Sequence, residues 1–189
     1  MRKSHYLNIS QSKDENAYSL LLNCRHCTHS QLREYASDNR IKSYLKEKLI
    51  ERVDVQDKSI YRLTDKGYRQ FEKSINVENC RYHSNAIEHD IALADRYIAV
   101  RAEHPDAIWR NEEDLKHDRR ELVNELLEQG RFEAAERLLA ASVPDCIVTV
   151  SGGVSYGFDI ITDNYCAATI ASKEDYCEEM QIEFRYERI

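Results

Sequence analysis

The chain has 189 residues and a formal net charge of −7, and 42% of its residues are hydrophobic while 32% are charged. This balance is typical of a globular protein, and the lack of any apolar run of about 18 residues argues against a membrane protein. Because no apolar segment follows the first residues, we expect a cytoplasmic protein with reduced cysteines. We expect two small domains.

The charge is distributed unevenly along the chain. Residues 1–76 contain 15 Lys and Arg against 10 Asp and Glu, whereas residues 77–189 contain 12 against 24. This asymmetry indicates that the basic part contacts a polyanion such as DNA, while the acidic part contacts something else. The alternative is that both balances are only solvated surface.

Three short helices are predicted in the first third of the chain. The first covers residues 15–23, and the second is capped by Thr28 or Ser30. The third covers residues 39–50 and is capped by Ser37 or Asp38. The third helix has an apolar stripe at helical spacing, formed by Ile41, Tyr44, Leu45 and Leu49. Its opposite face is predicted to present Arg40, Lys42, Ser43 and Lys46. Such a helix fits a major groove.

Two alternating runs, residues 51–55 and 59–63, flank a polar turn and predict a hairpin, after which Thr64 caps another helix. With Gln31-Leu32, the third helix and the segment Leu63–Gly67, this order resembles winged-helix regulators of the MarR and PadR kind. The resemblance implies that the third helix reads the groove and that Gln56 and Lys58 lie beside a phosphate backbone or in the minor groove. The alternative is a winged helix used for protein contact.

The second half predicts a long helix, a helical hairpin and a small sheet. From Ser84 the helix places Ile87, Ile91, Ala94 and Ile98 in a seam, which predicts either pairing of two chains or an internal core helix. Residues 118–141 predict two helices that are separated at 129–131. Strands follow at 146–150 and 154–161, then a helix near 172–180 and a strand at 182–186. The fold class is therefore α+β, with domains at 1–78 and 79–189.

Cysteine and histidine offer the ligand types of a metal site. Cys24 and Cys27 with Cys80 and His83 have the composition of a structural zinc site, and the alternative is that the cysteines are small buried hydrophobes. His83, His89 and Asp90 are not expected to share one site, because adjacent helical residues diverge by about 100°. We predict no cofactor.

The second half also contains, in order, Glu88-His89-Asp90, Trp109, Pro144-Asp145, Phe158-Asp159 and Lys173. This order resembles the replication-relaxation family, in which a winged helix precedes a domain related to PD-(D/E)xK nucleases. The resemblance implies that Asp145 and Asp159 correspond to two metal-holding acids. The strand lysine of those nucleases is replaced by Ile161, while Lys173 follows on a helix, so we predict a retained fold without catalysis.

The sequence thus predicts a non-enzymatic double-stranded DNA-binding accessory protein or transcriptional regulator of a plasmid, conjugative element or phage. Its acidic half is predicted to form a homodimer or to bind a protein partner. A first alternative is an inhibitor that presents carboxylates to a nucleic-acid enzyme, as anti-CRISPR proteins do. A second alternative is a metal-dependent nuclease that uses Asp145 and Asp159.

Overall fold

The computed structural model describes residues 7–55 and 58–189, which form a mixed α+β structure. The chain divides into two compact units, Met1–Ile98 and Ala99–Ile189. The division falls within a long helix. The domain boundary that the sequence predicts between residues 78 and 79 stays a prediction.

The first unit contains a small sheet, and helices come before, between and after its strands along the chain. Its elements are α1 Gln11–Cys24, β1 Cys27–Thr28, α2 His29–Arg33, α3 Asp38–Lys46, β2 Ile50–Val55, β3 Lys58–Leu63, α4 Asp65–Glu72 and the start of α5 Ile87–Glu103. The three strands are antiparallel and lie in the order β1-β3-β2. Strands β2 and β3 pair from Ile50 with Leu63 to Val55 with Lys58.

Side-chain caps explain where the helices of this unit begin. The hydroxyls of Thr28, Ser37 and Thr64 each accept a hydrogen bond from a backbone N–H in the first turn of α2, α3 and α4. Glycine is required in the first turn of α4, because a Cβ at Gly67 would lie 1.8 Å from the carbonyl oxygen of Leu49. The start of α4 therefore packs directly against the backbone that leads into β2.

Aromatic and aliphatic side chains fill the core of the first unit. Tyr18 of α1 stacks on Phe71 of α4 with 5.0 Å between the ring centroids, and Tyr44 of α3 meets the same ring edge-on at 5.5 Å. Leu20 and Leu32 are fully buried. The core therefore joins α1, α3 and α4, and it fixes which side of α3 faces outward.

The second unit combines a four-stranded sheet with a helical hairpin and a last helix. After the end of α5, its elements are β4 Ile108–Asn111, α6 Glu112–Glu128, α7 Phe132–Ala140, β5 Cys146–Thr149, β6 Ser155–Ile161, α8 Ala167–Glu179 and β7 Glu183–Arg188. The strand order is β4-β5-β6-β7, with antiparallel neighbours except for the parallel pair β6 and β7. Helix α8 makes the connection that a parallel pair requires.

A capping box starts α6, because the Asn111 side chain accepts from the N–H groups of Glu113 and Asp114 while the Asp114 carboxylate accepts from the Asn111 N–H. The hairpin turns at Gly130, whose φ of 73° suits glycine. Both hairpin helices pack on α8, where Tyr176 is 1% exposed within the shared core. The sheet and helices of this unit therefore share one core.

Several element boundaries differ from the sequence prediction. Helix α1 begins at Gln11 rather than near residue 15, and α3 ends at Lys46 although the stripe extends to Leu49. Leu49 lies in the segment between α3 and β2 and is nevertheless fully buried. Strands β1 and β4 are short and were not predicted from the sequence.

Candidate functional site

Helix α3 presents part of the predicted basic face to solvent. Ile41 and Tyr44 are buried, while Lys42 and Lys46, one turn apart, are exposed on another side of the helix. Ser43 is half-buried, and its hydroxyl donates to the carbonyl oxygen of Asn39 one turn earlier. The two lysine ammonium groups are therefore available to an external anion.

Arg40 does not belong to this exposed face, which corrects the sequence prediction of its orientation. Its Nε and a terminal nitrogen donate to the two carboxylate oxygens of Asp14 at 2.7 and 2.6 Å, and the same terminal nitrogen donates to the Asn8 carbonyl at 2.6 Å. Asp14 also accepts hydrogen bonds from Tyr44 and from the Ser10 N–H. Arg40 lies one turn before the buried Tyr44, and its guanidinium neutralises the buried Asp14 carboxylate.

The electrostatics of this ion pair favour its charged form. Burial by itself would raise the pKa of Asp14, but hydrogen bonds from Arg40 and Tyr44 outweigh burial and hold the pKa below its usual value. The same hydrogen bond to Asp14 raises the pKa of Arg40. This arginine therefore stays engaged with α1.

The β2–β3 hairpin supplies one further exposed cation. Lys58 begins β3 at the turn end of the ladder and is exposed, whereas Gln56, the other predicted residue, lies outside the described residues. Arg52 pairs with Asp54 at 2.7 Å, and Arg62 pairs with Glu51 at 2.7 Å. By contrast, no ion pair within ranges 7–55 and 58–189 involves the lysines at positions 42, 46 and 58.

The second unit contains a buried acid–lysine cluster, formed by Asp145, Asp159, Lys173 and Tyr165. The Lys173 ammonium donates to Asp159 Oδ1 at 2.5 Å and lies 3.6 Å from Asp145 Oδ1. The Asp145 N–H donates to Asp159 Oδ1, and the Ile160 N–H donates to Asp145 Oδ2. Asp145 directly precedes β5 and Asp159 lies in β6, so strand pairing brings the acids together and α8 returns the lysine to them.

Burial dominates the electrostatics of this acid–lysine cluster. Burial and the neighbouring Asp145 raise the pKa of Asp159 to about 7, although the Lys173 charge opposes the shift. Burial would lower the pKa of Lys173, but the two carboxylates outweigh burial and raise it above its usual value. The lysine is therefore charged at neutral pH, and Asp159 titrates near the same pH.

The residues of this cluster do not fit a resident divalent cation as they are arranged. The ammonium of Lys173 already lies against both carboxylates, where a cation bridging them would have to bind. A third acidic, histidine or cysteine ligand is lacking, since no group of three such side chains that could hold a metal exists in the described parts of the chain. Ile161, at the position of the strand lysine, is fully buried.

The cysteine and histidine candidates separate into different environments. Cys24 and Cys27 are buried, and burial raises the pKa of both thiols well above the usual value, whereas Cys80 and His83 are exposed. The zinc alternative therefore has no support from the described side chains.

A buried imidazole–carboxylate contact in the first unit was not predicted from the sequence. His26 Nδ1 lies 2.6 Å from Asp90 Oδ2, and His89 Nδ1 lies 3.4 Å from Asp90 Oδ1. His26 and Asp90 are 64 positions apart, so no local pattern could reveal their contact. His89 is next to Asp90 in the sequence, and its contact with Asp90 differs from the expectation that helical phase separates these two side chains.

No protein-family model, curated protein or solved structure matches the chain significantly. Among the described residues, no helix has both the length and the apolar character that crossing a membrane demands.

Proposed function

We propose that residues 7–76 form a winged helix-turn-helix that binds double-stranded DNA, in an accessory protein or transcriptional regulator of a plasmid, conjugative element or phage. Three helices, a two-stranded hairpin and a closing helix follow one another in the order of that fold. The hairpin joins the short strand β1 in an antiparallel sheet, which holds it beside the helices. This proposal assigns α3 to the major groove.

The observation that carries the proposal is the pair of exposed lysines on the firmly anchored helix α3. Lys42 and Lys46 point away from a core that holds Ile41 and Tyr44, and the Arg40 ion pair ties the helix to α1. A helix that is already fixed by its core contacts and by an ion pair loses little conformational entropy when it binds. Ser43 adds a hydroxyl to the same region, and Lys58 extends the positive surface to the hairpin.

The test is to measure binding of the full chain to duplex DNA over a range of salt concentrations, with and without the double substitution Lys42→Ala and Lys46→Ala. Each lost lysine–phosphate contact removes about one released counterion. The slope of log affinity against log salt should therefore become shallower by about two, with unchanged circular dichroism.

A matched control is the double substitution Arg120→Ala and Arg131→Ala, which removes the same charge from exposed positions of the second unit. It should leave the salt slope unchanged. Equal effects of the two double variants, or no salt-dependent binding by the wild type, would exclude α3 as the DNA-reading helix.

The proposal assigns the acidic half to a protein contact. Residues 77–189 contain twice as many acidic as basic side chains, which disfavours a second DNA surface. On α5, Ile87, Ile91 and Ile98 are half-buried, so part of the predicted seam stays accessible for pairing two chains. Light scattering after size exclusion should give a dimer that Ile91→Lys converts to a monomer, and a monomeric wild type would remove pairing from the proposal.

A further inference from the structure

The first unit contains an arginine-lined cavity that the proposed DNA contact does not use. Its volume is about 380 Å³, within the range of small-molecule sites, and its walls include Arg25, Arg62 and Arg81 together with Glu51 and Asp65. The ladder pair Glu51 and Arg62 lies four residue pairs from the hairpin turn, roughly 13 Å along the strands. The cavity is therefore at the opposite end of the hairpin from Lys58.

Arg25 is held in a strained backbone conformation at this cavity. Its φ of 61° and ψ of −58°, with a 2.7 Å hydrogen bond from the His26 N–H to the Cys24 carbonyl, define a γ-turn of the rare, strained kind. An arginine there lacks the freedom that glycine would have. Strain of this type concentrates at functional positions.

The Arg25 guanidinium also has unused hydrogen-bonding capacity. Its Nε is buried and has no hydrogen-bond partner, and no ion pair between described residues includes Arg25. A buried donor without an acceptor is unfavourable, and an oxyanion that enters the cavity would supply the acceptor.

The carboxylates that pair with the other two arginines are exposed. Arg62 donates through Nε to Glu51, and Arg81 donates to Asp65 and to the Leu63 carbonyl. The side chains of Glu51 and Asp65 are 47% and 82% exposed, so both ion pairs are weak and the carboxylates can move into solvent. An entering anion can therefore take their place.

We propose that this cavity binds a small molecule through a phosphate group. Three guanidinium groups match the charge and the several acceptor oxygens of a phosphate, which arginine contacts with paired N–H donors. The volume exceeds that of the phosphate itself and leaves room for the remainder of the molecule.

The test is calorimetric titration of the full chain with inorganic phosphate at low ionic strength, for the wild type, Arg25→Gln, Arg25→Gly and the control Arg52→Gln. The control removes an arginine with an exposed carboxylate partner on the same sheet, outside the cavity wall. Binding should be saturable in the wild type and control and about tenfold weaker in both Arg25 variants. Arg25→Gly should keep its thermal midpoint, because glycine tolerates the positive φ.

Two results would overturn the proposal. One is phosphate binding that does not saturate, or that is equal in the wild type and the Arg25 variants. The other is a loss of duplex DNA affinity in Arg25→Gly as large as its loss of phosphate affinity, since this would assign the cavity to the DNA backbone instead of a small molecule.

Discussion

Replacing Lys173 by Met provides a direct test of the buried acid–lysine cluster. Methionine has a similar length and fills the same space, so the substitution chiefly removes the charge between Asp159 and Asp145. Removing one partner from a buried ion pair costs about 3–5 kcal/mol, because the remaining charge is uncompensated. We expect a loss of that size in the free energy of unfolding at pH 8.

The loss should depend on pH in a defined direction. In the wild type the folded-state pKa of Asp159 is about 7, above its ordinary 3.8, so the stability that its retained proton contributes is fully present below pH 3.8 and is lost as pH rises through 7. Without the Lys173 charge this pKa rises further. At pH 5 Asp159 is therefore protonated in both proteins, so the variant loses the hydrogen bonds of the ammonium and its attraction to Asp145 but strands no Asp159 charge. The loss should be about 1 kcal/mol smaller at pH 5 than at pH 8.

Urea unfolding followed by the fluorescence of Trp109, the single tryptophan, reports on the second unit. The control is Lys116→Met, because Lys116 pairs with Glu112 and Glu113 at a partly exposed position and should cost less than about 1 kcal/mol at both pH values. A Lys173→Met loss that is equal at pH 5 and pH 8, or no larger than that of the control, would refute the reasoning.

Gly67→Ala should lower the thermal midpoint of the first unit, followed by circular dichroism, because the new Cβ would overlap the Leu49 carbonyl, and an unchanged midpoint would contradict that close approach. Arg40→Gln should cost about 3 kcal/mol in urea unfolding by stranding the buried Asp14 carboxylate, and a neutral result would mean that the ion pair is not needed. No cleavage of supercoiled, linear or single-stranded DNA is expected with magnesium or manganese; cutting by the wild type that disappears in Asp145→Asn would make the nuclease the leading hypothesis.

Local signals in the sequence predicted the starts of α2, α3 and α4 and the β2–β3 hairpin, but not the starts of α1, α6 and α8. Ser37 and Thr64 act as caps because a short hydroxyl side chain can reach the first-turn N–H groups, and this requires only neighbouring residues. The β2–β3 hairpin is equally local, with alternating strands around a polar turn. Strand β1 was missed because two residues carry no periodicity and its pairing with β3 is a tertiary contact.

The orientation of charged side chains could not be predicted in the same way. Arg40 flanks the buried stripe of α3, and only the position of Asp14 on another helix turns it inward. Lys173 likewise reaches the two acids only because α8 packs back over the sheet, which its place after β6 in the sequence does not reveal. In both cases a partner distant in sequence decides the role of the residue.

The position of the helical hairpin between neighbouring strands has a consequence for how the second unit folds. Asn111 of β4 pairs with Cys146 of β5, so the two ends of the segment 112–145 must come together before these strands can form hydrogen bonds. Helices α6 and α7 make mainly local contacts and can form early, and their antiparallel packing brings the two ends of the loop together. We therefore expect the hairpin to act as the folding nucleus of this unit, with strand pairing as the later and slower event.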